Sequence, residues 1–389
     1  MNVLFLTHNF PRSDGDPAGS FILRLASALG AEGVNVRVVA PGGEGLDAHA
    51  RVGNVQVDRF RYAPRRFETL AYGGNMAEQV RDTWSARFTL VGFLGAEFQA
   101  GVQAKRDFHP DVVHAHWWFP NGLAAAWVAR MSGVPLVTTL HGTDVRMARN
   151  IAVSRPAFRH VLQQSSAVTA VSRWLAAEAQ AIVSIKPPLV APMPVATELF
   201  EPGTRDERTR RLLFVGRLTP QKGTELLVSA LAQLPADIAL DIVGDGPERA
   251  RLEALASEIG VRARVTFHGA VKQFELAPFY RRACAVVVPS SEEGLGLVAV
   301  EAQLCETPVI AFDSGGLPDV VQHDRTGLLV KERSAEALAA SIRGLLERAD
   351  QGAALGEAGR LHALATFAPE SVARRYADVY RSVIGSSAT

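Results

Sequence analysis

In the stretch PSSEEGLGLVAVEAQL, residues 289–304, three carboxylates stand around an apolar run that carries two glycines. Glu293 and Glu301 have seven residues between them. A helix beginning near Leu297 holds Glu301 about one turn inside it and leaves Glu293 in the loop before it. Two acids then share one helix end, where they can accept hydrogen bonds from ligand hydroxyls. A solvated helix also carries glutamates, so spacing alone leaves both readings open. Glu292 has no evident partner in the pattern and reads as solvated.

Cations come from another loop. After the apolar run RLLFVG (211–216), the segment RLTPQKG places Arg217 and Lys222 ahead of the next helical pattern. Side-chain charge at a helix N-terminus adds to the free backbone N–H groups and the helix dipole, which makes an anion site. After ALDIVG (239–244) comes DGPER, where Gly244 and Gly246 permit a tight turn with close backbone approach. Gly294 and Gly296 expose amides in the same way. Amides, two cations and two carboxylates in three loops suit a nucleoside diphosphate: the cations and amides meet the diphosphate, and a carboxylate meets the ribose hydroxyls.

Elements must hold these loops on one edge. Short apolar runs recur at 3–6, 36–40, 111–116, 135–140, 167–172, 211–216, 239–244, 264–269, 285–289 and 308–312. Most are β-branched and apolar throughout, as parallel strands covered on both faces require. Helical patterns such as SFILRLASALGAEG and TELLVSALAQL lie between them. Strand–helix alternation predicts doubly wound α/β sheets, which bind ligands beyond the carboxyl ends of their strands. A length of 389 residues favours two domains. The expected connection is residues 186–204, which hold five prolines.

Composition excludes several classes. A net charge of +1 argues against a dedicated nucleic-acid binder. No run has transmembrane length without polar breaks. MNVLFLTHNF lacks a basic leader and reads as a first buried strand rather than a signal peptide. Cys284 and Cys305 are the only cysteines, too few for a disulfide framework or a four-cysteine zinc site, so both are expected in the core of a cytoplasmic protein. Residues 1–200 hold 19 Lys+Arg against 15 Asp+Glu, and the rest hold 22 against 25. RFRYAPRRF (59–67) concentrates four arginines and reads either as a solvated loop or as a contact with phosphate or an anionic membrane surface. Val80, Trp84, Phe88, Val91, Phe98 and Val102 mark one face of a long helix, expected to be core.

VGRLTPQKG, IVGDGPER, FHGAV, VPSSEEGLGLVAVEAQ, TPVIAFDSGGLPDVV and TGLLV together resemble, in order, the retaining glycosyltransferases of family four. AGSFILRLASALGAEGVNVRVV and TTLHGTD match less tightly. The resemblance covers nearly the whole chain. It implies a GT-B architecture, with two Rossmann-like doubly wound parallel-sheet domains facing a central cleft. The expected divisions are 1–190 for the acceptor, 191–365 for the nucleotide-sugar donor, and 366–389 as a terminal helix returning to the first domain.

The function so implied is metal-independent transfer of a sugar from a nucleoside-diphosphate sugar, UDP or GDP, to an acceptor hydroxyl with retained configuration. Glu301 would meet the donor ribose and Glu293 the transferred sugar. Gly294, Leu295, Gly296, Leu297 and Val298 would approach sugar and phosphate, and Arg217 and Lys222 would neutralise the diphosphate. Gly244 and Val271 complete the donor site, with Val271 near the base and the Gly19 amide near the diphosphate. His141 would face the reacting sugar. Asp144, His116 and Trp118 are the acceptor candidates. No cofactor or resident metal is implied; the acceptor is a sugar or a lipid-linked molecule, with peripheral membrane contact through 59–67 as one option.

This chain departs from the family at MPVA (193–196), Leu295, Glu306 and Arg325, which leaves donor identity open. A nicotinamide-dependent oxidoreductase would need G-x-G-x-x-G after the first strand of a domain, and neither THNFPRSDGDPAG nor GDGPER supplies it. A GT-B sugar-nucleotide epimerase and a non-catalytic nucleotide-sugar-binding protein are the remaining alternatives.

Overall fold

The computed structural model describes residues 1–72, 76–204, 207–348, 350 and 352–387. They form two compact units, Met1–Pro194 with Pro369–Thr389, and Val195–Ala368. The change of unit falls between Pro194 and Val195, four residues after the division read from sequence.

In the first unit the strands are β1 (Asn2–Leu6), β2 (Asn35–Pro41), β3 (His49–Val52), β4 (Val55–Phe60), β5 (Val112–His116), β6 (Leu136–Leu140), β7 (Ala167–Ala170) and β8 (Leu189–Val190). Their order is β3-β4-β2-β1-β5-β6-β7-β8. Only the β3–β4 pair is antiparallel. The helices are α1 (Ser20–Leu29), α2 (Met76–Asp82), α3 (Trp84–Phe108), α4 (Leu123–Ser132), α5 (Thr143–Asn150), α6 (Arg155–Gln164) and α7 (Arg173–Ile182). Strand order reverses between β1 and β5, so the loops leaving their carboxyl ends diverge and open a crevice there.

The second unit has β9 (Arg211–Val215), β10 (Ala239–Val243), β11 (Val265–Gly269), β12 (Ala285–Val288), β13 (Val309–Phe312) and β14 (Leu328–Val330), all parallel in the order β11-β10-β9-β12-β13-β14. Helices α8 (Thr224–Leu231), α9 (Arg249–Glu258), α10 (Ala277–Arg282), α11 (Leu297–Leu304), α12 (Leu317–Val320), α13 (Ala335–Leu346) and α14 (Ala353–Phe367) connect and flank them. Here the reversal lies between β9 and β12. Leu212, Phe214, Leu240, Ile242, Val287 and Ile310 form the buried sheet face, which explains the continuous apolar runs. Cys284 and Cys305 are buried free thiols in this unit.

The last helix, α15 (Pro369–Ser387), belongs to the first unit and lies against α1. Tyr380 Oη is 2.8 Å from His114 Nδ1, and Tyr376 Oη donates to the Ala191 carbonyl at 3.1 Å. Both rings are fully buried, so the helix is a structural member of the first sheet's cover.

Two expectations need correction. The apolar stripe after residue 80 is broken by Thr83, which caps α3, and its Trp84, Phe88 and Val91 are 73%, 75% and 69% exposed rather than core. Phe93, Glu97, Gly101 and Ala104 occupy the inward face instead. The arginine-rich stretch is also not one exposed patch. Arg59 is buried and donates to the Pro11 and Pro41 carbonyls and to Tyr72 Oη, while Arg61 is paired with Glu68. No helix among the described residues is long and apolar enough to cross a membrane.

Candidate active site

In the second unit, the loops after β9 and β12 leave the sheet at its point of reversal, and they carry most of the candidate donor residues. Lys222 closes a short helical turn (Pro220–Lys222), and Gly223 at φ 64° starts α8. A Cβ on Gly223 would stand 2.1 Å from the Pro289 carbonyl oxygen, so glycine is what lets the two loops touch. Through that contact Lys222 Nζ reaches Glu293 Oε1 at 2.5 Å. Ser290 Oγ donates to the same oxygen at 2.8 Å. Arg217, on the same loop as Lys222, is exposed.

Gly296, at φ 95°, precedes α11, whose first amides at Leu297 and Val298 have no partner within the helix. Those amides and the helix dipole favour an anion, and Glu293, which holds Lys222, stands four residues before Leu297. Leu295 is buried and anchors the loop. Gly316 donates its N–H to the Glu293 carbonyl at 2.8 Å, and it fixes the backbone from below. Gly244 packs against the β9 loop so closely that a Cβ would meet the Gly216 oxygen at 1.9 Å. Val271 is half-buried in the loop following β11.

Glu301 lies one turn into α11 and is only 5% exposed. Tyr280 Oη donates to its Oε2, and Gln273 Nε2 to its Oε1, each at 2.7 Å. Burial, then the Glu301 charge, pushes the Tyr280 hydroxyl far above its ordinary range, so it remains a donor. Ser290, Gln273 and Tyr280 were not singled out from sequence. Gln273 and Tyr280 sit on separate segments 21 or more residues before Glu301, and no local pattern links them to it.

The first unit gathers its candidates at its own reversal point. A cavity of about 290 Å³ is lined by His8, Tyr72, Trp117, Phe119, Asp144 and Met147 among others. Asp144 is 3% exposed, and its Oδ1 accepts from the N–H groups of His141, Gly142 and Val145 at 3.1, 2.9 and 3.0 Å. Burial, opposed by these donors, raises its carboxyl to about 6. His141 Nε2 stands 3.2 Å from His116 Nδ1, and the His141 ring lies 4.2 Å from Trp117. Burial and the neighbouring His116 hold the His141 imidazole well below its usual range, so it is neutral.

Trp117 adopts φ 68°, uncommon for a bulky residue, which turns its ring toward the cavity and His141. Gly19, at φ 67°, allows α1 to start against Asn9, whose oxygen a Cβ would meet at 2.2 Å.

Two acceptor candidates are placed elsewhere. Trp118 is 1% exposed, packs on Phe158 and donates Nε1–H to the Asp144 carbonyl at 2.8 Å. His116 is fully buried beneath His141. The cavity is faced by Trp117 and Phe119 instead, because the turn HAHWWFP sends alternate rings inward and outward.

Comparison with known proteins gives consistent matches. Residues 18–196 match the glycosyl transferase 4-like domain, and residues 195–362 match the glycosyl transferases group 1. The D-inositol 3-phosphate glycosyltransferase 1 of Catenulispora acidiphila is 36% identical over 323 residues, 74% of this chain and 76% of that protein. The D-inositol 3-phosphate glycosyltransferase of Mycobacterium marinum is 34% identical over 74% of this chain and 68% of its own. Among solved structures, sucrose-phosphate synthase of Thermosynechococcus elongatus has a TM-score of 0.80 at 25% identity over 99% of both chains. HepE of Anabaena, solved with UDP and glucose, has a TM-score of 0.73 at 20% identity over 98% of this chain and all of its own.

Proposed function

The chain belongs to the group 1 glycosyl transferases, with a GT-B fold, and from that membership we propose that it moves a sugar from a nucleoside-diphosphate sugar to an acceptor hydroxyl with retention of configuration. The product would be a glycolipid, a polysaccharide or another glycoconjugate. The observation that carries this reading is the Lys222–Glu293–Ser290 cluster beside the α11 N-terminus.

Its chemistry follows from the parts. The diphosphate lies against the α11 amides, Lys222 and Arg217, and these donors meet the charge that grows on the leaving group. Glu293 gives up Lys222 to the diphosphate and accepts hydroxyls of the transferred sugar, which fixes the anomeric carbon. Glu301 takes the ribose hydroxyls from its edge, held in place by Tyr280 and Gln273. The acceptor occupies the first unit's cavity. Its hydroxyl attacks from the side the diphosphate leaves, and the departing diphosphate oxygen takes the proton. Glu293 is therefore a positioning group, not half of a glycosidase acid pair. With two cations on the diphosphate, the reaction proceeds in EDTA.

Titration of UDP, GDP and ADP into the whole protein, with and without EDTA, tests the donor site. The expected result is micromolar binding of UDP or GDP, unchanged by EDTA and lost in Glu301→Ala. The anomeric configuration of the product, read by proton NMR, then decides retention against inversion. Failure of every nucleoside diphosphate to bind overturns the proposal.

A further inference from the structure

Half of the large apolar side chains that the described residues expose lie on one surface: Trp84, Phe88, Val91, Trp127 and Met131, out of ten. The first three stand on the outward face of α3, opposite buried Phe93 and Glu97. Trp127 and Met131 stand on the neighbouring α4, and with Leu94, Gly95, Phe98 and Arg130 they line an open groove between the helices. Lys105 ties the two together by donating to the Met131 carbonyl at 2.6 Å. The apolar surface is thus continuous along two packed helices.

Its charge is predominantly positive; the exposed Asp82, two residues before Trp84, is paired with Arg81. The exposed ionised groups along this face are Arg87, Arg106 and Arg130, with half-buried Lys105. Asp107, at the far end of α3, is the only exposed acid on either helix. Arg87 lies 4.5 Å over the Trp84 ring and is thereby held beside the apolar surface. Indole and phenyl rings rimmed by arginine fit the boundary between headgroups and acyl chains, where rings enter the apolar layer and guanidinium groups meet lipid phosphate. A second copy on this face would oppose cation to cation. The position also matters. Met76, eight residues before Trp84, lines the first unit's cavity, so the aromatic end of α3 lies at the cavity's side of the sheet.

We propose that the outward face of α3 and α4 docks the protein on an anionic bilayer. This inference rests on the surface alone; only its consequence, that the acceptor hydroxyl is carried by a lipid, rests on the transferase reading.

Co-sedimentation of the whole protein with phosphatidylcholine vesicles, with and without about one-third phosphatidylglycerol, tests it. The parent protein should bind the anionic vesicles, with a blue shift in tryptophan emission, and release at high salt. Phe88→Ser with Trp127→Ser should weaken binding at least about tenfold, from the lost apolar area. Arg87→Glu with Arg130→Glu should weaken it similarly on anionic vesicles alone. Phe274→Ser, an exposed aromatic of the second unit, should change nothing. Unchanged unfolding midpoints certify the fold of each variant. Absence of vesicle binding, binding indifferent to the α3–α4 variants, or a dimer in sedimentation that those variants dissolve would each overturn the proposal. Vesicle binding without sugar transfer would leave docking intact and count against the transferase reading instead.

Discussion

Lys222 Nζ stands 2.5 Å from Glu293 Oε1, joining two loops whose residues are 71 apart in sequence. The cation assigned to the leaving group and the carboxylate assigned to the sugar are therefore paired. This pairing restrains both side chains, which are 26% and 12% exposed. It also makes their losses unequal.

Glu293→Gln keeps the acceptor for Ser290 but removes the charge. We expect kcat to fall by about 10²–10³ while nucleotide affinity stays within a few-fold, because the proposed mechanism gives Glu293 to the sugar and not to the nucleotide. Lys222→Ala should instead weaken UDP or GDP binding as well as kcat. Steady-state rates beside calorimetric titration separate the two patterns. Equal loss of nucleotide affinity in both variants would remove the division of roles.

Tyr280 is the second unit's only tyrosine, and its hydroxyl is given to Glu301. Tyr280→Phe leaves a buried carboxylate with one donor fewer. A hydrogen bond to a charged group contributes roughly 1.5–3 kcal/mol, so the second unit should lose about 2 kcal/mol in urea denaturation followed by circular dichroism. Nucleotide affinity should fall with it, as the carboxylate is freed to rotate. An unchanged affinity would mean that Glu301 does not touch the ribose.

Gly244 stands at φ 136° with the Gly216 oxygen where a Cβ would go. Gly244→Ala must separate the β9 and β10 loops, and we expect a loss of at least about 2–3 kcal/mol together with weaker nucleotide binding. Gly260→Ala, at φ 75° in open space, should cost only about 1 kcal/mol and leave binding alone. Scanning calorimetry on the two variants compares them directly.

The strands were legible because both sheets are parallel and covered. Each buried run such as AVVV or VIAF is continuous and apolar, and its neighbour in sequence is a helix. The β3–β4 hairpin, two-residue β8 and three-residue β14 were not, since VQVDRF alternates beside the edge strand β3, β8 lies among prolines and β14 is too short to stand out. The loop glycines of the second unit announced tight turns, but not that Gly223 and Gly244 serve contacts with other loops. Trp84, Phe88 and Val91 misled because periodicity marks an apolar face and says nothing of what covers it. Trp118 and Trp117 are adjacent and chemically alike, and only the positive φ of Trp117 decides which ring meets the cavity. Tyr280 and Gln273 reach Glu301 through tertiary packing alone.

Acid should destabilise the first unit. Burial lowers His8 to about 4 and His114 to about 3, and holds His116 and His141 well below their usual range. The unfolded chain takes up protons at these histidines near pH 6.5, and the folded unit does not. Their stabilisation is thus present above pH 6.5 and is lost as pH falls toward 4. Asp144, raised to about 6, and Glu97, raised by burial, act in the opposite sense, because the folded unit holds their protons longer than the unfolded chain does. Near pH 5 the balance is about two protons taken up on unfolding, a loss of roughly 3 kcal/mol per pH unit. All five tryptophans, at 84, 117, 118, 127 and 174, lie in the first unit, so their fluorescence reports on it alone. Urea midpoints followed by tryptophan emission should fall steeply from pH 7 to 5. In Asp144→Asn most of one opposing proton is gone, and the slope between pH 4 and 6 should steepen by about 1 kcal/mol per pH unit. A midpoint that is flat with pH would mean that the histidine cluster is protonated in the folded unit, against the neutral rings that its burial favours.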